Sequence, residues 1–366
     1  MRDPAVHHME SQGTRPCTHR ARPCASPRTK LFKGYAGLLL LTLAICSATV
    51  LAKPAMAQEG LVGTAVEFTD HAACAYVAKH MGWYEEAGLT LSAYESYVTG
   101  MALAAALGRG DIQAAYMCLV PAINAYANGG IPIKVVAGTH KHGYGLIVDP
   151  DKVSTVADLE KPGLRIGCVR EGGAVDVFLH HVIDKYNLDE RRLLSKVQRM
   201  NPPKQVLALK MGKLDGAFLP EHHATLAESL GFKMLVKSQD VWPNAQGSVL
   251  VVKKELIEDH PDIVRRLVQV SRKATQWINE NPYEAAEVTA CELSISAEGI
   301  LPKEVAKAAG QLEITPDVVA ASMKRLAYTT DLDRDIVQEI IDYMTKLGYI
   351  RERIRAEEIL EARFLK

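Results

Sequence analysis

Polar side chains that could bind a ligand stand directly after apolar runs of the sequence. Asp70 and His71 follow the first such run, and Arg170 follows a later one. These positions are the carboxyl ends of predicted strands, where an open α/β sheet forms its ligand crevice. The residues that we predict to contact a ligand are Asp70, His71, Cys74, Ser96, Tyr97, Thr99, Tyr116, Met117, Cys118, His140, Arg170, Glu171, Gly172, Gly173, Glu221 and His222.

The charges at these positions suit two kinds of organic ligand. Arg170 and the backbone amides of helices that begin nearby favour a carboxylate or a sulfonate. An amine would instead be held by acidic side chains, and the candidates are Asp70, Glu95, Glu171 and Glu221. A flat ring could stack on a tyrosine, with Tyr97, Tyr116 and Tyr144 as candidates. Both kinds of ligand remain open.

The same strand ends carry cysteines and histidines, which makes metal binding an alternative. Thiolate and imidazole groups suit soft or borderline ions. The candidates are Cys74, Met117, Cys118, Cys168, His71, His140, His142, His222 and His223. The competing interpretation is that the cysteines are buried small residues, or that Cys74 and Cys118 form a disulfide. No C-x-x-C pair is present, and we predict neither a resident metal nor a cofactor.

Catalytic signatures are missing from the sequence. It contains no G-x-S-x-G, no H-E-x-x-H and no phosphate-binding loop. Gly172 and Gly173 allow a close approach of backbone to ligand, but they do not form a dinucleotide-binding fingerprint. The sequence therefore favours a binding protein over an enzyme.

Short apolar runs alternate with helical stretches, which is the pattern of a parallel α/β sheet. The first series of predicted strands comprises residues 63–68, 89–96, 111–117 and 131–139. The second series comprises residues 164–169, 195–200, 214–219 and 233–237. Two series predict two α/β lobes with a ligand cleft between them.

A repeated turn supports the division into two lobes. Residues 107–111 and 211–215 share a Gly-basic-x-Asp turn that begins at Gly108 and at Gly212, and each copy stands between a predicted helix and a predicted strand. The glycine is expected to end the helix in the left-handed conformation, and the basic residue suits the negative helix end. We predict one copy of this turn in each lobe.

Two further apolar stretches, 144–148 and 248–253, lie where one series gives way to the other. They are predicted to carry the chain into lobe 2 and back, which makes lobe 1 discontinuous. We assign residues 58–145 and 247–366 to lobe 1 and residues 146–246 to lobe 2. Helices are predicted from residue 255 onward, over 261–281, 282–293, 302–310, 315–327 and 333–347.

The first 57 residues are predicted to be an N-terminal extension followed by a cleavable secretion signal. The uncharged run from Gly34 to Ala52 follows Lys33, and Ala55-Met56-Ala57 is a small-x-small cleavage pattern, so we expect cleavage before Gln58. The whole chain has 43 basic and 43 acidic residues, and the removed segment is basic, so the mature chain is acidic. Nucleic acid is a poor partner for such a surface.

Nearly all of the mature chain resembles a known family. Its resemblance rests on Tyr76 to Lys79, on Gly82 to Leu89, on Pro121-Ala122 and on Gly130 to Gly138. Residues 158–167 and the turn at 212–217 extend it into lobe 2. These segments are similar to the periplasmic substrate-binding proteins of nitrate, sulfonate and taurine ABC importers, the NMT1-like group, which also includes pyrimidine-precursor binders.

This resemblance implies a type II periplasmic binding fold with two crossing segments and a small solute in the cleft. It further implies a periplasmic monomer that meets the membrane only through a permease, which a cytoplasmic ATPase powers. Arg170-Glu171 depart from the small Ser/Thr residues common at that loop, so sulfonate or nitrate specificity does not transfer directly. A related fold makes pyrimidine in fungi with pyridoxal and iron, but the cysteine cluster of that activity is missing here.

Overall fold

The computed structural model describes residues 60–300 and 314–366, except the side chain of Glu298. The signal segment and the helix predicted over 302–310 lie outside these ranges. The strands are β1 (Leu61–Glu67), β2 (Thr90–Tyr97), β3 (Ala114–Cys118), β4 (Ile133–Gly138), β5 (His140–His142), β6 (Tyr144–Val148), β7 (Ile166–Cys168), β8 (Val197–Arg199), β9 (Gly216–Pro220), β10 (Lys233–Lys237), β11 (Ser248–Lys253) and β12 (Leu326–Tyr328).

Helices connect and cover these strands. They are α1 (Ala73–His80), α2 (Trp83–Glu86), α3 (Gly100–Arg109), α4 (Leu119–Ala127), α5 (Ala174–Tyr186), α6 (Glu190–Leu194), α7 (Pro202–Lys210), α8 (Glu221–Ser229), α9 (Ser238–Val241), α10 (Lys254–Asp259), α11 (Pro261–Glu280), α12 (Pro282–Ile300), α13 (Pro316–Met323), α14 (Arg334–Lys346) and α15 (Ala356–Ile359). Short 3₁₀ turns cover Asp70–Ala72, Val156–Glu160 and Ala362–Leu365. None of the described helices is both long and apolar enough to cross a membrane.

Ten of the twelve described strands form two five-stranded sheets with the same topology. The first sheet has the order β2-β1-β3-β11-β4, and the second, read from its far edge, has the order β8-β7-β9-β6-β10. Each sheet also contains one inserted strand, which lies apart in sequence from the other strands of its sheet or runs against them. This strand is β11 in the first sheet and β6 in the second, and it is antiparallel to both of its neighbours. The predicted α/β class is confirmed. The sheets are mixed rather than purely parallel, because the chain enters lobe 2 through the inserted strand β6 and returns to lobe 1 through the inserted strand β11.

The inserted strands coincide with the two stretches predicted at the joins, Tyr144–Val148 and Ser248–Lys253. The predicted lobe boundaries lie one or two residues from these strands. Tyr144 and Gly145, which we assigned to lobe 1, pair with β9 and β10 in the second sheet. From here on, lobe 1 means the first sheet with its helices, and lobe 2 means the second sheet with its helices.

The long helix α11 shows how lobe 1 is closed. Pro261 occupies its first turn, where a missing N–H costs nothing. Its buried residues recur at three- and four-residue spacing, as in Val264, Leu267 and Val268, and the opposite face is charged. That stripe packs with α1 over the first sheet in one core cluster.

Two sequence predictions about secondary structure were wrong. The helix predicted over 315–327 ends at Met323, and Leu326–Tyr328 is strand β12. Residues His140–His142, predicted as a loop, form β5, which pairs with β12. This small sheet arises from a pairing between distant segments, which local patterns do not show.

The repeated turn occurs at equivalent places, after α3 and after α7, but its glycines differ in role. In lobe 2, Gly212 is left-handed with φ +63°, as predicted. In lobe 1 the left-handed residue is Gly110 with φ +86°, whereas Gly108 is still helical. The predicted helix-ending role of Gly108 was therefore wrong.

The two crossing segments, residues 139–143 and 238–247, are hydrogen-bonded to each other. The amide of Gly247 donates to the carbonyl of His140 over 3.1 Å, and the amide of His142 donates to the carbonyl of Ala245 over 3.2 Å. The two connections between the lobes therefore run side by side.

Candidate functional site

A cavity of about 490 Å³ lies between the two lobes, at the carboxyl ends of β1, β3, β7 and β9. This is the place where open α/β sheets bind ligands. Its lining residues are Glu67, Thr69, Val98, Thr99, Gly100, Met101, Ala102, Ala105, Cys118 and Pro121 from lobe 1, and Tyr144, Val169, Arg170, Gly173, Ala174, Val175, Pro202 and Pro220 from lobe 2.

Several helices point their N-termini at this cavity. Thr99 caps α3, and its hydroxyl accepts the amide of Ala102 over 3.3 Å. Cys118 precedes α4 and Gly173 precedes α5, and neither supplies a side-chain cap. Helix N-termini carry unpaired amides and a partial positive charge, so each of them attracts a negative group, either from a ligand or from the protein itself.

Glu67, the last residue of β1, lies against the cavity with only 8% of its surface exposed. Its carboxylate accepts the amide N–H of Cys118 over 3.0 Å. Burial raises the pKa of Glu67, and its hydrogen bonds from Cys118 and Gly100 act in the opposite direction. We did not single out Glu67 from the sequence, because it stands inside the predicted strand 63–68. An acidic residue ending an otherwise apolar strand was the available signal.

Cys118 and Tyr144 form the next part of the wall. The Tyr144 hydroxyl donates to Cys118 Sγ over 3.3 Å, and the Ser248 hydroxyl donates to the same sulfur over 3.5 Å. Burial raises the pKa of the Cys118 thiol well above its usual range. The Tyr144 ring stacks on Phe178 with ring centroids 6.3 Å apart, which fixes its orientation.

The loop after β7 brings Arg170 and Gly173 to the cavity from lobe 2. The Arg170 side chain is exposed and forms no ion pair within the described ranges. Gly172 is left-handed with φ +74°, and its amide donates to the carboxylate of Asp176 over 3.0 Å. Glu171 points elsewhere, 3.7 Å from Arg199. Of this predicted group, Arg170 and Gly173 thus meet the cavity.

Asp70, Glu221 and His222 lie in a different buried group, which joins α8 of lobe 2 to the segment around α13. The Asp70 carboxylate accepts the Ser322 hydroxyl, and its other oxygen lies 3.5 Å from His222 Nδ1. Glu221 is fully buried and pairs with Arg325 Nη1 at 3.0 Å. These predicted residues do not line the cavity. They hold the two lobes together beside it.

The rings of His71 and His140 pack against each other beside the crossing segments, with centroids 4.2 Å apart and planes inclined by 43°. His71 Nε2 lies 2.9 Å from the carbonyl of Gly143, and His140 Nε2 accepts the amide of Ser248 over 3.0 Å. Burial, and then the neighbouring His222, lower the pKa of His71 to about 3. Burial also lowers the pKa of His140 well below its usual range, so both rings are neutral near pH 7. Their hydrogen bonds hold the crossing segment 139–143 in place against lobe 1.

The remaining predicted residues lie within lobe 1. Cys74 and Met117 are fully buried, and Tyr116 bonds to the hydroxyls of Tyr84 and Ser271 over 3.1 and 2.8 Å. Ser96 lies 2.9 Å from the Ser296 hydroxyl, and Tyr97 donates to the Glu95 carboxylate. None of these residues lines the cavity. Of the predicted set, Thr99, Cys118, Arg170 and Gly173 do.

Cys74, Cys118 and Cys168 are buried thiols, and no disulfide joins them. Burial raises the pKa of Cys74 to about 12, which keeps that sulfur protonated. Across residues 60–300 and 314–366, no group of three or more His, Cys, Asp or Glu side chains is arranged to hold a metal ion.

A sequence model described as the NMT1-like family matches residues 62–293. The chain belongs to the NMT1-like family. A protein of Brucella abortus (strain 2308) that is named as a binding protein is 24% identical over 224 residues, which cover 60% of this chain and 67% of that protein. A Brucella suis biovar 1 protein shows the same identity over the same coverage.

Solved structures share the fold of this NMT1-like chain. The ligand-binding component of an ABC-type import system from Staphylococcus aureus, with zinc bound, superimposes with a TM-score of 0.68 at 19% identity, covering 84% of this chain and 98% of that one. The alkanesulfonate-binding protein SsuA of Xanthomonas axonopodis pv. citri, bound to MOPS, gives 0.67 at 15% identity, with coverages of 83% and 98%. The nitrate-binding protein NrtA of Synechocystis PCC 6803 gives 0.66 at 13% identity, with coverages of 84% and 87%. The predicted type II periplasmic binding fold is confirmed.

Proposed function

We propose that this chain is the extracytoplasmic solute-binding component of an ABC importer. The observation that carries the proposal is the cavity of about 490 Å³ between the lobes, with helix N-termini and Arg170 at its wall. Ligand pockets of small organic molecules have volumes in this range and combine apolar walls with a few polar groups. The relatives named as binding proteins and import components support the same role.

The mechanism is capture by closure, and no bond is made or broken. The lobes rotate about the two crossing segments, the solute is enclosed, and the closed form meets a membrane permease driven by a cytoplasmic ATPase. A ligand that contacts both lobes stabilises the closed form, because only that form offers all of its contacts. The protein acts as a monomer in this proposal, and neither nucleic acid nor a cofactor takes part.

Export through the segment 31–57 places the protein in the periplasm, where such a component works. Cleavage before Gln58 predicts a mature chain that begins at this residue. N-terminal sequencing and intact mass of the chain from a periplasmic fraction would test this step. A chain that retains residues 31–57 in the membrane fraction would show an anchor instead.

The ligand itself is best identified by mass spectrometry of small molecules released from the natively purified mature protein. A matched pair of variants makes the experiment specific to the cavity. Ala102→Trp fills the cavity from an exposed helix position, whereas Ala362→Trp places the same ring at an exposed position that is not part of the cavity lining. We expect the wild type and Ala362→Trp to release a compound that Ala102→Trp lacks.

A thermal-shift screen completes the test, since a ligand that binds only the folded chain raises its melting temperature. The panel contains sulfonates, aromatic carboxylates, amines, pyrimidines and divalent metals, and elemental analysis of tag-free protein covers the metal alternative. A wild type that releases no compound, and that no member of the panel stabilises, would contradict the proposed function.

A further inference from the structure

The carboxylate of Glu67 lies at the N-termini of two helices of lobe 1, α3 and α4. Its carboxylate accepts the amide of Cys118, the residue before α4, over 3.0 Å. It also accepts the amide of Gly100, the first residue of α3. A methyl group built on Gly100 would lie 3.0 Å from the same carboxylate oxygen, which shows how closely Glu67 approaches α3.

Amides at helix N-termini are a ready site for an anion. In this chain the anion is already present as part of the protein. A ligand sulfonate or carboxylate at the same place would lack these two amides and would face a negative charge. The lobe 1 side of the cavity therefore disfavours an anionic group.

The carboxylate itself still lacks a cationic partner. Within the described residues Glu67 forms no ion pair, and Arg170 is the one cation among the residues that line the cavity. Most of the neighbouring wall is apolar, as at Met101, Pro121 and Val175. Burial in such surroundings disfavours the charged carboxylate even though amides donate to it, and a cationic donor would stabilise that charge.

We propose that Glu67 selects a ligand with an apolar body and a protonated amine, and that the amine binds Glu67 at the floor of the cavity. The ammonium group donates to the carboxylate, and the apolar body lies along the walls. This inference rests on the proposed function and names the class of solute. The lobe 1 site thus discriminates by charge against solutes that present a sulfonate or carboxylate there.

The test uses three probes that share one apolar body, namely 2-phenylethylamine, 3-phenylpropionate and 2-phenylethanesulfonate. Isothermal titration calorimetry of the mature wild type should show the amine binding at least tenfold more tightly than either anion. Glu67→Gln keeps the shape and removes the charge, so amine affinity should fall at least tenfold. Glu67→Ser frees the amides of Gly100 and Cys118, so sulfonate affinity should rise at least tenfold.

Glu258→Gln is the matched control, because Glu258 is an exposed carboxylate on α10, remote from the cavity. It should keep the wild-type order of affinities, and circular dichroism should show all three variants folded. The inference is overturned if the wild type binds none of the probes, if it binds an anion as tightly as the amine, or if Glu67→Gln keeps full amine affinity. A wild type that prefers the sulfonate would overturn this inference alone, because it would still be a solute-binding protein.

Discussion

The imidazole of His140 packs directly against Gly247, and no side chain fits between them. A Cβ atom built on Gly247 would stand 2.1 Å from the ring carbon Cε1 of His140. The next amide, that of Ser248, donates to His140 Nε2 over 3.0 Å. The contact joins the two crossing segments at the point about which the lobes would rotate.

Gly247→Ala should therefore destabilise the protein. The added methyl displaces the His140 ring and breaks its bond to Ser248, and overpacking of this kind costs about 1–3 kcal/mol. Urea unfolding measures the change. Gly299→Ala is the control, because a methyl on this helical glycine meets nothing within 4 Å, and alanine is the better helix former. Equal stability of the two variants would contradict the tight contact.

Acid should destabilise the fold through its buried histidines. Burial, and then the nearby His222, lower the pKa of His71 to about 3, and burial lowers that of His140 well below its usual range. In the unfolded chain both groups regain a pKa near 6.5, so below that pH the unfolded chain binds more protons and stability falls. Burial raises the pKa of Glu221 to about 7, which offsets part of this loss because its folded form takes up a proton first.

The measurement is the urea midpoint at about pH 7 and at about pH 5, for the wild type and for His71→Gln. Glutamine can donate to the Gly143 carbonyl that His71 Nε2 contacts, but it does not titrate. The wild type should lose more stability on acidification than the variant. If the two lose the same amount, protonation of His71 is not the cause.

The sequence predicted the inserted strands and part of the cavity wall, and the structure shows why. Strands β6 and β11 were predicted because each is a continuous and mainly apolar run of sequence, and the structure buries almost all of each strand. Thr99 and Arg170 were predicted because both follow strand ends, and both line the cavity. Glu67 was missed because it lies within the strand pattern itself. The partners of Asp70 and Glu221 are Ser322 and Arg325, which are distant in sequence, and local spacing carries no signal for such contacts.

Arg325 should matter for stability through the charge that it neutralises. Its guanidinium contacts Glu221, which is fully buried, and Glu228 at the surface of α8. Arg325→Ala would leave Glu221 buried without a partner, which we expect to cost about 2–4 kcal/mol, since the arginine itself is partly exposed. Adding Glu221→Gln to Arg325→Ala should recover part of the loss, as a double-mutant cycle in urea would show. Additive effects of the two changes would contradict the pairing.

The cysteines of the described lobes should stay reduced after export, although an oxidising compartment permits a disulfide. Cys74, Cys118 and Cys168 are buried, unpaired with one another, and carry thiols whose pKa is raised by burial. Iodoacetamide should leave all three unmodified in the native protein and should label all three after unfolding without reductant. Mass spectrometry reads both results. A Cys74 that is labelled only after reduction would indicate the disulfide.

Arg170 should determine affinity without affecting the fold. Its side chain is exposed at the mouth of the cavity, on the lobe opposite Glu67, so it can reach an anionic group at the far end of a bound solute. A hydrogen bond to a charged group contributes about 1.5–3 kcal/mol, so Arg170→Ala should weaken binding of the co-purified ligand at least tenfold. Arg191→Ala removes an exposed arginine from α6, away from the cavity, and should leave the affinity unchanged. Calorimetry measures both affinities, and equal affinities would remove Arg170 from the site.

A loss of affinity in Arg170→Ala together with a loss of affinity in Glu67→Gln would show that the solute carries opposite charges at its two ends, because each lobe then holds one of these charges.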